Sequence, residues 1–267
     1  MTLAVLSALF IWWFSTGAIL LVINRGSGRT AVWATAPLAV LAAWGMIEGG
    51  GMTDVGGAYL GFAAAITVWG WFELAFLTGV LTGPNREPCP LGARGMKRFR
   101  LAWRTIAHHE LAILLTAVVL VTFLWNAENL TGLLTFLILF VARISAKVNI
   151  YLGVPNFTDE MLPQPVEYLR TYFASRWMNL LFPFSITALT AAVTYWVEHA
   201  LIAPAGSGAE VGFALLATLT SLALLEHWLM VLPVRDSLLW RWMTSKPGAS
   251  VPNNTGQIRV SGGTHGL

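Results

Sequence analysis

The stretch "FVARISAKVNIYLGVPN", Phe140–Asn156, decides how this chain folds. Most of it has the composition of a membrane helix, yet Arg143 and Lys147 stand inside it, four residues apart. On a helix that spacing is about 40° of rotation and about 6 Å of rise, so both cations share one face. A lone charge at mid-membrane costs about 2.5–3.5 kcal/mol on insertion scales. Lys147 reads as close enough to the interface to snorkel, whereas Arg143 lies deeper and requires a carboxylate partner.

The rest of the chain sets the context for that helix. Of its 267 residues 56% are hydrophobic and 11% are charged, and the mean hydropathy is +0.66. A soluble domain carries roughly 25% charged residues, so this is an integral membrane protein. Seven apolar runs approach or reach the roughly 17–25 residues of a membrane span. They are Leu3–Ile23, Ala31–Ile47, Gly56–Thr82, Thr105–Trp125, Thr131–Leu152, Trp177–Val197 and Val211–Leu232. The second is the shortest and holds Pro37, which membrane helices tolerate. The first has no cation ahead of it and is too long for a signal-peptide core. The expected fold is all-α, a polytopic bundle of seven transmembrane helices forming one domain over residues 1–245.

Charge placement orients the bundle. All 16 Lys and Arg fall in alternate connections, at the end of run five, or after run seven. The connections "EGGGMTDVGG", "NAENL" and "EHALIAPAGSGAE" hold none. The positive-inside rule then gives a periplasmic N-terminus and a cytoplasmic C-terminus. The basic pI reflects this asymmetry and is no signature of nucleic acid. Arg86, Arg94, Lys97, Arg98, Arg100 and Arg104 are read as a loop facing lipid head groups or a partner. A short helix is expected over Pro165–Phe173, lying along the interface. After run seven, "PVRDSLLWRWMT" sets cations beside interfacial tryptophans, and residues 246–267 read as a disordered cytoplasmic tail. Cys89 is the single cysteine, so no intrachain disulfide forms, and it reads as an inert thiol.

Ionisable groups recur at one depth. Glu73, Glu110 and Glu226 lie in the same third of the membrane as Arg143 and Lys147, with His108, His109 and His227 beside them. Glu73 and Glu226 are the expected partners for Arg143. Such residues inside a membrane either lock helix order or carry function. No metal site is expected. A di-iron carboxylate bundle needs Glu-x-x-His motifs, and Phe76, Ile113 and Leu229 stand where each histidine would be. "HHELA" lacks the spacing of a zinc protease helix. His108 or His109 could ligate the magnesium of a chlorin, or rest at head-group level. Gly57-x-x-x-Gly61 permits close helix approach.

The segments "IAHHELAILLT", "ARISAKVNIYLGVPNFTDEMLP", "YLRTYF" and "MNLLFPFSITA" resemble the PuhE family, photosynthetic complex assembly proteins of purple phototrophic bacteria. The resemblance runs from about Leu3 to Trp242 and is most specific over Arg143–Pro163. It implies a multi-pass protein of the bacterial inner (intracytoplasmic) membrane. Such a protein would be a non-enzymatic assembly factor for the reaction centre and core antenna. Its partners would be their subunits, other assembly factors and membrane lipids. No cofactor is required, and bacteriochlorophyll is the ligand left open. The resemblance brings no catalytic residues with it. Two alternatives stand beside it: a pigment-handling or oxidoreductase protein using the polar layer, and a stable accessory subunit of the core complex.

Overall fold

The structure, a computed structural model, describes residues 1–156 and 162–232. Segment 233–244 and the tail 246–267, both read above from composition, lie outside the described residues. Among the described residues, seven α-helices and one 3₁₀ helix make up the fold. They are α1 (Thr2–Asn24), α2 (Gly28–Gly50), α3 (Val55–Leu77), α4 (Gly95–Leu124), α5 (Thr131–Leu152), the 3₁₀ helix Gln164–Tyr172, α6 (Leu181–Ile202) and α7 (Gly208–Leu229). Among the described residues there is no strand, only a single bridge between Val154 and Ser175.

Six helices, all but α6, are long and apolar enough to cross a bilayer, which marks a multi-pass membrane protein. The expectation of seven spans meets its weakest member in α6. Thr187, Thr190, Thr194, Tyr195, Glu198 and His199 dilute its apolar character. It also starts later than the run suggested. The Asn179 side chain accepts from the amides of Leu181 and Phe182 at 2.9 and 3.1 Å and so sets the first turn there.

Several boundaries differ for local physical reasons. α2 runs through Pro37 without ending and is longer than its apolar run. α3 stops at Leu77, not Thr82, because Gly79 takes the left-handed φ of 73° that closes a helix. α4 begins at Gly95, so Lys97, Arg98, Arg100 and Arg104 lie on a helix and not in a loop. The short helix is 3₁₀ and buries Val166 and Leu169 against Phe76 and Ile106, with Tyr172 also buried; it is packed onto the bundle end instead of lying flat on the interface.

α3 and α7 are the central helices, each with 61% of its most apolar window buried, against 11% for α1. One apolar cluster joins α2, α3, α4 and α5 through Met46, Trp69, Phe72, Ile113, Leu120 and Phe136. A second joins α1, α3, α6 and α7 through Ala8, Phe62, Ala200 and Leu215. α3 and α5 cross at Gly61 and Gly132, where a Cβ on Gly61 would stand 3.0 Å from the Gly132 nitrogen. In lipid, small residues at a crossing let backbones touch, and dispersion then holds the pair. That crossing fixes α5 against α3.

The connections gather at two ends. At one, Asn129 donates to Gly50 O and Gly49 O at 3.0 and 3.1 Å, and the N-terminal amine lies 3.4 Å from Glu210. At the other, Arg98 donates to Tyr172 O at 2.6 Å and Asn179 donates to Gly153 O at 2.9 Å. Arg25, Arg94, Arg98 and Arg176 sit at this second end, with the connections that carry the positive charge.

Candidate functional site

α5 presents two polar stripes. Arg143 and Lys147 are four residues apart, and so are Ser145 and Asn149. The two pairs are offset by two residues, about 200° on a helix, so they face opposite ways. One pair turns toward α3 and α4, the other toward α6 and α7.

The first side is charged. Arg143 Nη2 donates to Glu73 Oε2 at 2.8 Å. Lys147 Nζ donates to Glu110 Oε1 and lies 4.8 Å from the centre of the Phe76 ring, a cation–π distance. The expected ranking of the two cations is reversed. Lys147 does not snorkel: its side chain is 17% exposed and that of Glu110 is 4% exposed, whereas the Arg143 side chain is 38% exposed. The reason is positional, since Lys147 meets Glu110 one turn nearer the end of the bundle, under the packed 3₁₀ helix. Glu226 was the other expected partner for Arg143; it is exposed instead, on the wall of a cleft.

His109 completes the charged side. Its Nδ1 lies 3.2 Å from Glu110 Oε1, so two adjacent residues, about 100° apart on the helix, meet through the reach of the carboxylate. Facing an acceptor-only group, Nδ1 carries the proton. The ring is fully buried, 4.6 Å from Phe76 and 6.4 Å from Phe72 between centroids. His109 Nε2, Glu73 Oε1 and Arg143 Nε are buried without a hydrogen-bond partner among the described residues. This layer is therefore under-satisfied, which is where a polar network stores cost or function.

The depth of His109 and Glu110 is set by the α3–α4 connection. His109 N donates to Thr82 O at 2.8 Å, and Asn85 N donates to Arg104 O at 3.1 Å. Gly83 lies on the α4 backbone, where a Cβ would stand 2.6 Å from Thr105 C. Only glycine fits that approach.

The second side is neutral. His227 Nδ1 lies 2.8 Å from Ala223 O, so Nδ1 is the protonated nitrogen. Its Nε2 is 2.9 Å from Ser145 Oγ, which donates to it when the ring is neutral. Ser145 Oγ and Ser185 Oγ are 2.9 Å apart, and Asn149 Nδ2 donates to Ser185 Oγ at 2.9 Å. Ser145, Asn149 and Ser185 were passed over in sequence because they carry no charge. Their signal was the Ser145-x-x-x-Asn149 spacing within a polar-bearing span.

Neither histidine of the "HH" pair offers an enclosed chlorin site. His109 is held between aromatic rings with no room for a macrocycle, and His108 faces outward. Among the described residues no group of three His, Cys, Asp or Glu converges. A cleft of about 500 Å³ does open beside the charged side, walled by Arg143, Lys147 and Glu226 and by apolar residues of α1, α4, α5 and α7.

The comparisons with known proteins fit this arrangement. The family described as "Protein of unknown function (DUF3623)" matches residues 1–250. The chain belongs to the DUF3623 family. The match takes in every described helix, and with them both polar sides of α5. The chain is also similar to a Rhodobacter capsulatus protein named "Uncharacterized 30.4 kDa protein in puhA 5'region". The two are 46% identical over 247 residues, which is 90% of each chain. That name places this relative in the 5′ region of puhA. No solved structure matches the chain.

Proposed function

We propose that this protein is an assembly factor for the photosynthetic reaction centre and its core antenna, working through contacts within the inner membrane. One observation carries the reading: 46% identity, along 90% of both chains, to a protein of the puhA 5′ region. The resemblance of "ARISAKVNIYLGVPNFTDEMLP" to the PuhE family supports the same role. The test is a clean deletion in a phototrophic host. The expected result is a loss of reaction-centre–core-antenna complex while bacteriochlorophyll is still made. Normal core-complex levels would overturn the proposal. Loss of pigment with accumulation of precursors would replace it with the pigment-handling alternative. Stoichiometric co-purification with the core complex would make the protein a subunit.

The topology proposed with it has all seven helices crossing the membrane, the N-terminus periplasmic and the basic end cytoplasmic. It is supported by the absence of Lys and Arg from the connections "EGGGMTDVGG", "NAENL" and "EHALIAPAGSGAE" and by the gathering of Arg25, Arg94, Arg98 and Arg176 at the opposite end of the bundle. A reporter fused at Gly50 is expected to be periplasmic. A cytoplasmic reporter there would refute the arrangement.

A further inference from the structure

α4 is longer than a bilayer requires. Its 30 residues, Gly95–Leu124, extend for about 45 Å. Residues 105–124 alone cover the roughly 30 Å hydrocarbon core. The first ten residues therefore project into and past the head-group zone, which adds only about 5–7 Å on each side. Lys97, Arg100 and Arg104 lie on this projection. Their spacing of three and then four residues confines them to about 60° of the helix surface. All three are exposed. None of them forms an ion pair among the described residues. Arg98, between them in sequence, is turned inward and engaged with Tyr172 O.

The neighbouring face of the same helix is apolar and walls the cleft. Phe99, Trp103 and Ile106 line it from α4, and Ile144 and Val148 line it from α5. Phe99 and Trp103 are each 47% exposed, so this wall is open to an incoming apolar chain. The cleft volume of about 500 Å³ lies within the ~300–1,000 Å³ range of small-molecule sites. A row of cations with no ion pair among the described residues, at head-group depth next to a slot that is mostly apolar and also walled by Arg143, Lys147 and Glu226, suits one class of ligand. Free phosphate would use the cations and leave the slot empty. An acidic protein segment would do the same.

We propose that α4 and this cleft bind an anionic phospholipid, with its phosphate on Lys97, Arg100 and Arg104 and an acyl chain in the slot between α4 and α5. Basic pockets between membrane helices at the cytoplasmic side are a recognised setting for acidic lipid head groups. The site requires only that the helices lie in a bilayer, so it stands or falls separately from the assembly role.

The test is native mass spectrometry of the purified full chain in detergent, with phosphatidylglycerol or phosphatidylcholine of equal chain length added. Phosphatidylglycerol is expected to be retained preferentially. The triple variant Lys97→Gln/Arg100→Gln/Arg104→Gln is expected to lose that preference, by about fivefold per cation and on the order of a hundredfold together. Ala146→Phe, which fills the cleft, is expected to weaken retention with all three cations intact. Thermal melting of each variant checks folding, and Ala146→Phe decides alone if the triple variant does not fold. Equal retention of the two lipids overturns the proposal, as does unaltered retention by Ala146→Phe. Displacement of the lipid by glycerol 3-phosphate at equal concentration would reassign the row to soluble phosphates. Displacement by an acidic peptide with the cleft variant unaffected would reassign it to a protein partner.

Discussion

The two faces of α5 solve the same problem by different means. Toward α3 and α4 it pairs two cations, one of them 38% exposed, with two carboxylates; toward α6 and α7 it sets a serine and an asparagine against a serine and a histidine. Both arrangements tie three helices together at one depth. The neutral side shares hydrogen bonds among groups that lose little on leaving water. The charged side pairs groups whose desolvation is costly, and its attraction offsets that cost only while every partner is present. Of the two, the neutral side is built to tolerate substitution and the charged side is not.

The largest expected effect breaks that contrast most directly. Lys147→Met leaves the Glu110 carboxylate buried and unpaired, at a cost of about 3–5 kcal/mol, read as a loss of melting temperature and of membrane abundance. Glu110→Leu combined with Lys147→Met should recover much of the loss, since a buried pair adds little net stability. A double variant as unstable as the single would show that His109 also depends on Glu110.

Arg143→Met should cost less, about 1–2 kcal/mol, between the exposed and buried limits for ion pairs, because its side chain is 38% exposed. An equal or greater loss than for Lys147→Met would mean that depth, not exposure, controls the cost. Ser185→Ala, on the neutral side, should cost about 1 kcal/mol, the net worth of an ordinary hydrogen bond. Asn149 Nδ2 retains Ser145 O at 3.0 Å in that variant. A melting-temperature loss matching that of Lys147→Met would erase the distinction between the two sides. His108→Phe is the smallest, within about 0.5 kcal/mol, because His108 faces outward while His109 is buried. A clear drop in melting temperature would extend the charged side one residue further than the packing places it.

Much of the helix inventory could be read from the chain, because membrane helices must be long, apolar and internally hydrogen-bonded. The depth match between Glu73, Glu110, Arg143 and Lys147 could be read too, since helical rise converts residue number to depth. The ends were harder. Four of the six basic residues of the α3–α4 connection, Lys97, Arg98, Arg100 and Arg104, lie on α4, because a helix started by Gly95 continues through polar sequence when its apolar portion is anchored. The 3₁₀ helix is packed against the bundle because Val166 and Leu169 meet Phe76 and Ile106, residues distant in sequence.

Sequence alone determined that this is a helical membrane protein and that a cation on α5 needs a carboxylate. Those conclusions follow from local rules: residue transfer cost and helical periodicity. Only the tertiary structure decided which carboxylate meets which cation, that Lys147 is the better buried of the two, and that Ser145, Asn149, Ser185 and His227 form a second network. Partner choice depends on rotation and crossing as well as depth. Here both are set by backbone contacts such as Gly61 with Gly132 and Gly83 with α4, which no single helix encodes.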